Sequence, residues 1–303
     1  MEFVHKSVLF DEAVRALDLS ENKIIIDGTA GGGGHTSEIA KTAKRVIAVD
    51  RDPDAIKVLN ERLGDRENVT IVHDNYSNIK AIVKRLGIDE IDGLLLDLGV
   101  SSFQLDTAER GFSFHKDAPL DMRMSKSGLS ARDVVNDYSE EQLADILFRY
   151  GEEKFARRIA ANIVKTRQDK PIETTFELVD IIKSSLPQKA MRDGHPARRT
   201  FQAIRIEVNA ELDVLSSTLD DAFSILSKGG RIAIITFHSL EDRIVKERFN
   251  EWCKGCTCPK EFPVCVCGNK PKGKAFKSIA PSKEELEENP RARSSRLRIF
   301  EKF

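Results

Sequence analysis

The sequence predicts an α/β fold, a doubly wound parallel sheet into which an all-helical domain is inserted. Three observations predict it. Strand and helix signals alternate through the first hundred residues, a glycine-rich turn joins the first strand to a helix, and only helical patterns follow from about residue 105 to residue 205. Such alternation is typical of a parallel sheet covered by helices. We expect the α/β domain to comprise residues 1–104 and 216–303, and the helical insertion residues 105–215.

The strand signals are runs of aliphatic and β-branched residues, most of them followed by a helical segment. Such runs are typical of strands that are buried on both faces of a parallel sheet. After the second strand, Asp52 suits the N-cap of a helix and Pro53 its first turn. The predicted strands are residues 23–27, 45–50, 69–73, 91–98, 231–237 and 295–303.

Helical patterns fill the insertion, near residues 130–136, 139–150, 152–167 and 174–186. We expect one further continuous helix from about Ala197 to Leu226, which the glycines of Lys228-Gly229-Gly230 would end. An insertion at the carboxyl edge of a parallel sheet lies beside its ligand crevice, so we expect a substrate-recognition domain. A purely structural insertion is the alternative.

The composition is that of a globular chain with one basic end. It has 303 residues, 40% hydrophobic and 32% charged, with a net charge of −1. No apolar run approaches about 18 residues, and the first residues lack a signal-peptide core, so we expect a cytoplasmic protein. Residues 253–303 carry 12 Lys and Arg against 6 Asp and Glu, a net of +6. This segment suits a polyanionic partner, or else is a solvated tail.

The turn after the first predicted strand contains four consecutive glycines, Gly31 to Gly34. Glycine lets the backbone turn sharply and approach a ligand closely, as in nucleotide-binding turns between a strand and a helix. The spacing does not match Gly-x-Gly-x-x-Gly, which disfavours a dinucleotide. Asp27, beside this turn, would repel a pyrophosphate but attract the sulfonium and ammonium groups of S-adenosylmethionine.

Two further aspartates close predicted strands. Asp50 ends the second strand, where it could accept hydrogen bonds from ribose hydroxyls, although it could also be a cap or turn residue. Asp97 ends the fourth strand and is followed by Ser101 and Ser102. These three residues offer acceptors that could orient the N–H groups of an exocyclic base amine for methyl transfer. The alternative for the serines is a capping turn.

His238 and Ser239 directly follow the fifth predicted strand, at the same edge of the sheet. Either side chain could contact a base or a ribose. Alternatively, Ser239 is the N-cap of the next helix with Asp242 as its partner three residues on.

Two basic stretches predict contacts with RNA. Arg198, Arg199 and Phe201 combine cationic and aromatic side chains, which suits phosphate and base contacts, unless they form a solvated helix start. Arg291 and Arg293, in the basic carboxy-terminal segment, are further candidates.

Long motifs follow one another along nearly the whole chain. They are His5-Lys6-Ser7-Val8-Leu9-Phe10-Asp11-Glu12, Asp27-Gly28-Thr29, Gly33-Gly34-His35, Ala48-Val49-Asp50-Arg51-Asp52-Pro53, Leu96-Asp97-Leu98-Gly99-Val100-Ser101-Ser102, Gln104-Leu105-Asp106, Glu109-Arg110-Gly111-Phe112-Ser113-Phe114, Pro119-Leu120-Asp121-Met122-Arg123-Met124, Arg199-Thr200-Phe201-Gln202-Ala203, Phe237-His238-Ser239-Leu240-Glu241-Asp242-Arg243 and Asn289-Pro290-Arg291-Ala292-Arg293-Ser294-Ser295. In this order they resemble the ribosomal RNA small subunit methyltransferase H family, which methylates N4 of a cytosine in the decoding region of 16S rRNA.

The resemblance implies a class I S-adenosylmethionine-dependent methyltransferase with an inserted helical domain, acting on 16S rRNA or the small ribosomal subunit. It implies that the cofactor is contacted by Gly33, Gly34, His35, Asp50, Tyr76, Asp97 and Gln104. The family often has Phe where this chain has Tyr76, which keeps the ring. The sequence leaves the oligomeric state open between a monomer and a homodimer.

All five cysteines fall within fifteen residues, at Cys253, Cys256, Cys258, Cys265 and Cys267. A clustered, odd number argues against a disulfide framework. The spacing is dense enough for one structural zinc ion, and a reduced, thiol-rich loop is the alternative.

We therefore predict an S-adenosylmethionine-dependent rRNA cytosine N4-methyltransferase. One rival is a non-catalytic RNA-binding protein that retains the cofactor fold. The other is a nicotinamide-dependent oxidoreductase, which the glycine spacing disfavours.

Overall fold

The computed structural model describes residues 7–192, 194–259, 262, 264 and 266–303. The chain forms two compact units. The first, here called the α/β unit, contains the residues up to Gly99 together with Leu212–Phe303. The second, here called the helical unit, is Val100–Glu211. The sequence had placed these two boundaries after residues 104 and 215.

One sheet organises the α/β unit, with the strand order β3-β2-β1-β4-β5-β7-β6. Strands β1 to β5 pair in parallel, and β7 pairs antiparallel with β5 and β6. The order reverses between β1 and β4, which in doubly wound sheets marks the ligand crevice. The strands are β1 (Ile24–Asp27), β2 (Arg45–Asp50), β3 (Val69–His73), β4 (Ile91–Asp97), β5 (Leu226–Thr236), β6 (Gly273–Ala275) and β7 (Arg296–Lys302).

Helices connect the strands and form most of the helical unit. In chain order they are α1 (Phe10–Ala16), α2 (Gly34–Ile39), α3 (Pro53–Leu63), α4 (Ile79–Arg85), α5 (Ser102–Asp106), α6 (Ala131–Asp137), α7 (Glu140–Gly151), α8 (Ala156–Asp169), α9 (Thr175–Ser185), α10 (Arg198–Asn209), α11 (Glu211–Ile225), α12 (Ser239–Trp252) and α13 (Lys283–Glu288). Among the described residues, no helix is both long and apolar enough to cross a membrane.

The sheet is buried on both faces, which explains its continuous aliphatic strands. In β1, Ile26 packs into the hydrophobic cluster on one face and Ile25 into the cluster on the other. In β4, Leu94 and Leu96 share a cluster with Ile26, and Leu95 shares one with Ile25. Because successive side chains of a strand point to opposite faces, each position needs an apolar residue.

The helix expected from Ala197 to Leu226 is in fact two helices. They break at Ala210, whose φ of 50° is left-handed. The Asn209 carboxamide accepts a hydrogen bond from the backbone N–H of Met124 (2.9 Å) and donates to the carbonyl of Met122 (2.7 Å). These contacts with a distant loop of the helical unit fix the end of α10.

The helix end expected near Leu226 is confirmed, since α11 ends at Ile225. The glycines of Lys228-Gly229-Gly230 do not end it, because they lie inside β5. Ile91 of β4 pairs with Leu226, but Gly93 pairs with Arg231, so the register shifts around the glycines. Gly229 has a φ of 75°. A β-bulge uses glycine in this conformation to absorb extra residues in one strand.

Candidate functional site

The carboxyl ends of three neighbouring strands bring together the three predicted aspartates. Asp27, Asp50 and Asp97 are the last residues of β1, β2 and β4. The Thr29 hydroxyl accepts a hydrogen bond from the backbone N–H of Asp97 at 2.6 Å, which ties the turn after β1 to the end of β4. The site thus lies at the point where the strand order reverses.

The glycine turn packs closely against leucine side chains of α3, an approach that only glycine permits. Gly33 has a φ of 80°, and an added Cβ would lie 2.9 Å from Leu63 Cδ1 and 3.0 Å from Leu59 Cδ2. Its N–H donates to the Ala30 carbonyl at 2.8 Å. The following residue, Gly34, begins α2. The turn therefore exposes backbone rather than side chain to a ligand.

Asp50 fastens this turn to β2. One of its oxygens accepts the N–H of Gly31 at 2.7 Å and the other accepts the N–H of Asp52 at 2.8 Å. Burial raises the pKa of the Asp50 carboxyl, an effect that these two hydrogen bonds oppose. Since each carboxylate oxygen has a second lone pair, Asp50 can still accept a ligand hydroxyl.

Asp27 is fully buried beneath the turn. It accepts a hydrogen bond of 2.6 Å from the Thr36 hydroxyl at the start of α2. Burial raises its pKa to about 6, and the nearby Asp50 carboxylate contributes to the rise. Asp27 therefore acts as a buried support of the turn, and it adds negative charge to the site when ionised.

At the carboxyl edge of the sheet, Asp97 and His35 each present a buried polar atom without a hydrogen-bond partner among the described residues. Oδ1 of Asp97 and Nε2 of His35 are buried and have no hydrogen-bond partner among the described residues. The Asp97 side chain as a whole is 24% exposed, and its Oδ2 lies 4.0 Å from His35 Nδ1. Buried polar atoms are nearly always satisfied, so these two atoms indicate where a ligand binds.

The protonation states of these two residues follow from their surroundings. Burial raises the pKa of Asp97 to about 8, and the carboxylates of Asp27 and Glu241 add to this effect. Burial lowers the pKa of His35 to about 4. Its neutral ring stacks on Phe10, with the centroids 5.2 Å apart. A cationic ligand would favour ionised Asp97.

Tyr76 lies beside Gly28, the residue that directly follows β1. It follows β3, and its Cβ would be 3.2 Å from a Cβ added to Gly28. Reasoning from composition and spacing missed Tyr76. The signal that could have found it is an aromatic residue just beyond the carboxyl end of a strand that neighbours β2.

His238, not Ser239, is the N-cap of α12, which corrects the predicted cap and its Asp242 partner. The His238 Nδ1 accepts the N–H of Glu241 at 3.4 Å, and Glu241 Oε2 accepts the N–H groups of Phe237 (2.8 Å) and His238 (3.3 Å). Glu241 is only 2% exposed, and its Oε1 lies 3.1 Å from His238 Nε2. Ser239 is exposed. No role for Glu241 was predicted from the sequence, although this residue stands three positions after the cap.

The remaining cofactor and acceptor candidates belong to the helical unit. Ser101 is the N-cap of α5, and its hydroxyl accepts the N–H of Gln104 at 3.2 Å. The Gln104 carbonyl oxygen accepts the N–H of Ser101 at 3.0 Å. Gln104 is buried, Ser102 is partly buried and Ser101 is exposed. The capping turn considered from sequence is therefore present.

The predicted RNA contacts divide by exposure. Arg198, Arg199, Arg291 and Arg293 are exposed. Phe201 is only 3% exposed and packs in the core of the helical unit. Its predicted base-stacking role is corrected, because a ring buried at the second turn of an amphipathic helix contributes to the core.

The structure brings together three of the cysteines and separates a fourth from them. The sulfur atoms of Cys256, Cys258 and Cys267 lie within 4.8 Å of one another. Cys253 packs against the hydrophobic cluster that contains Trp252, so it does not join them. Cys265 lies outside the described residues.

Comparisons with known proteins cover the whole chain. The model of the MraW methylase family matches residues 2–303. A similar protein from Clostridium botulinum (strain Kyoto / Type A2), named ribosomal RNA small subunit methyltransferase H, is 55% identical over 309 residues and covers 100% of both chains. Ribosomal RNA small subunit methyltransferase H 2 of Agathobacter rectalis is 56% identical over 313 residues, covering 100% of this chain and 99% of its own. The solved structure of an rRNA methylase from Streptococcus thermophilus aligns over 99% of each chain, at 14% identity and a TM-score of 0.45.

Proposed function

This chain belongs to the MraW methylase family, and we propose from that premise that it is an S-adenosylmethionine-dependent enzyme that methylates N4 of a cytidine in 16S rRNA. The small-subunit rRNA substrate is inferred from the names of its relatives. The structural observation that carries the proposal is the buried, unpartnered Oδ1 of Asp97 at the carboxyl end of β4. A cytoplasmic location follows from this substrate.

The residues around the glycine turn fit the cofactor. S-adenosylmethionine, when bound, supplies an electrophilic methyl group on a cationic sulfonium. Carboxyl groups at the ends of β1, β2 and β4 provide the complementary negative charge. The residues that would hold it are Gly33, Gly34, His35, Asp50, Tyr76, Asp97 and Gln104, with Asp50 on the ribose and the Tyr76 ring on the adenine.

Asp97 is the residue that we assign to the acceptor amine. Its carboxylate can accept an N–H hydrogen bond and orient the amine lone pair toward the methyl group. Once the N–C bond has formed, the amine must lose a proton. The Asp97 carboxylate, which the cationic cofactor favours in its ionised form, can take up that proton.

The other predicted catalytic residues receive weaker roles. Ser101 and Ser102 remain candidates for further amine contacts. Ser101, the N-cap of α5, is exposed, and Ser102 is only partly buried. His238 is a positioning residue, because its Nδ1 accepts the N–H of Glu241 at the start of α12. The exposed hydroxyl of Ser239 can reach an RNA substrate without disturbing α12.

We assign substrate recognition to the helical unit and to the exposed arginines. Arg198, Arg199, Arg291 and Arg293 offer phosphate contacts. The helical unit also has a cavity of about 250 Å³, lined by Phe114, His115, Phe176, Val179, Asp180, Lys183 and His195. Phe114 and His195 stack with centroids 4.3 Å apart. Aromatic rings beside a lysine suit an unstacked base and its phosphate.

The test is transfer of tritium from labelled S-adenosylmethionine to 16S rRNA, offered both as naked RNA and as assembled small subunits. We expect the label in N4-methylcytidine after digestion to nucleosides. We expect Asp97→Ala to reduce transfer by at least about 100-fold, as removal of a positioned acceptor typically does. Comparing the two substrates also decides which form is methylated.

Two outcomes would contradict the proposal. If the wild-type protein labels neither substrate but still binds the RNA, it is a binding protein that retains the cofactor fold. If a titration shows binding of a nicotinamide dinucleotide and none of S-adenosylhomocysteine, the ligand assignment is wrong. Asp89→Asn, an exposed carboxyl in the same unit, is the matched control and should transfer at the wild-type rate.

A further inference from the structure

Three cysteine sulfurs meet in the segment between α12 and β6, which contains none of the residues assigned to methyl transfer. Sγ of Cys256 and Sγ of Cys267 are 3.7 Å apart, and Cys258 Sγ lies within 4.8 Å of both. A disulfide would place two sulfurs about 2.05 Å apart. The four cysteines that the structure describes form no disulfide. The three sulfurs are therefore close without being joined by a disulfide.

We propose that Cys256, Cys258 and Cys267 bind a structural zinc ion. Zinc–sulfur bonds of about 2.3 Å in a tetrahedron put the sulfurs about 3.8 Å apart. The Cys256–Cys267 separation of 3.7 Å matches that edge. Thiolates are soft ligands, and tetrahedral thiolate sites select zinc over hard cations such as magnesium or calcium.

Backbone N–H groups surround these sulfurs as they surround metal-bound thiolates. Cys258 Sγ accepts from the N–H groups of Val266 and Cys267, both at 3.3 Å. Cys267 Sγ accepts from Thr257 (3.4 Å) and Asn269 (3.5 Å). Hydrogen bonds to sulfur favour the deprotonated form, which is the form that binds metal.

A crosslink would stabilise this segment, because the large apolar side chains among its described residues are mostly exposed. Phe262, Val264 and Val266 are 51%, 69% and 73% exposed. Polar contacts close its base, where the Asn269 side chain donates to the Gly255 carbonyl at 2.7 Å and the Lys272 N–H to the Trp252 carbonyl at 2.8 Å. Where a hydrophobic core is missing, metal binding supplies the stability of a small loop.

Cys253 does not belong to this site, although the sequence had grouped all five cysteines. Its sulfur accepts the Ala275 N–H at 3.2 Å and packs against the cluster that contains Trp252. It is therefore a matched control, a cysteine of the same segment that no ligand set requires.

The test is the zinc content of untagged full-length protein purified with a reducing agent and without chelators. We expect about one zinc per chain in the wild type and in Cys253→Ser. We expect Cys256→Ser, Cys258→Ser and Cys267→Ser each to lower the content at least about fivefold, since each removes one of three thiolates. Cobalt substituted for zinc should give thiolate-to-metal charge-transfer absorption that the three variants lose.

The proposal fails if wild-type protein holds less than about 0.1 zinc per chain after exposure to zinc under reducing conditions. It fails equally if the three variants retain as much zinc as Cys253→Ser does. Binding of S-adenosylhomocysteine by each variant shows that the α/β unit is folded, so loss of metal can be separated from loss of the fold. Neither result depends on the proposed methyl transfer.

Discussion

At the residue scale, the negative charge of Asp97 is needed to bind a cationic ligand but lowers the stability of the ligand-free protein. Burial, with Asp27 and Glu241 nearby, raises the pKa of this carboxyl to about 8. Ionising it without a cationic ligand leaves a charge whose Oδ1 has no partner among the described residues. We predict that Asp97→Asn raises the unfolding free energy of the ligand-free protein at pH 8 by at least about 1 kcal/mol, because the amide has the shape of the carboxyl group but no charge to bury. Urea unfolding measures this change.

The pH dependence of that difference follows from the sign of the pKa shift. Between the unfolded pKa of 3.8 and the folded pKa of about 8, the folded state holds a proton that the unfolded state lacks. Wild-type protein therefore loses stability as pH rises through this window, while the asparagine does not titrate. The stabilisation should grow from pH 5 to pH 8, and a decrease would contradict it. Asp89→Asn, at an exposed position, should show no such trend.

At the scale of elements, the start of α12 rests on a buried carboxylate. Glu241 accepts the N–H groups of Phe237 and His238, and His238 accepts the N–H of Glu241 in return. We predict that Glu241→Ala lowers the unfolding free energy by about 1–3 kcal/mol, because it leaves buried donors unpaired. His238→Asn should change stability by less than about 0.5 kcal/mol, since asparagine is a strong N-cap. Thermal and urea unfolding measure both changes.

The same pair of variants tests the positioning role of His238. If its ring only caps α12, His238→Asn keeps kcat for methyl transfer within a few-fold of wild type. A large loss of kcat at unchanged stability would instead show that the ring acts on the substrate. Both N–H groups donate to one oxygen of Glu241, so the carbonyl oxygen of Glu241→Gln can accept both and should retain most of the stability that alanine loses.

Elements with two buried faces could be predicted from sequence, and those fixed by distant contacts could not. Strands β1, β2 and β4 read as aliphatic runs because both sides of each strand are in a core. The break at Ala210 depends on Asn209 bonding to Met122 and Met124, more than eighty residues earlier. Helical periodicity continues across that break, so pattern alone predicted one helix.

At the scale of the whole molecule, the candidate site was predictable where it follows from topology. The carboxyl ends of parallel strands lie at one edge of the sheet, so the sequence alone was enough to place Asp27, Asp50 and Asp97 together. Partners brought by other elements were not visible in the sequence. Phe10 stacks on His35 from α1, and Glu241 reaches back to His238 through a turn whose cap had been misplaced by one residue.

The helical unit has a core of its own, and from this we predict that residues 100–211 fold in isolation. Leu147 of α7, Ile159 and Ile163 of α8 and Ile204 of α10 are fully buried in one cluster drawn from this unit alone. An insertion that buries its own apolar faces satisfies the requirement for an independent domain. The isolated fragment should show helical circular dichroism and a cooperative thermal transition.

Two matched variants test whether the isolated fragment has the same core as the helical unit. Ile159→Ala should destabilise the fragment by about 2–5 kcal/mol, as removal of a fully buried aliphatic side chain does. Its exposed neighbour on α8, Arg158→Ala, should change stability by less than about 0.5 kcal/mol. A fragment that melts gradually, or that responds equally to both substitutions, would show that its core forms only within the whole chain. A cooperative fragment could then be tested alone for RNA binding, which would separate substrate recognition from methyl transfer.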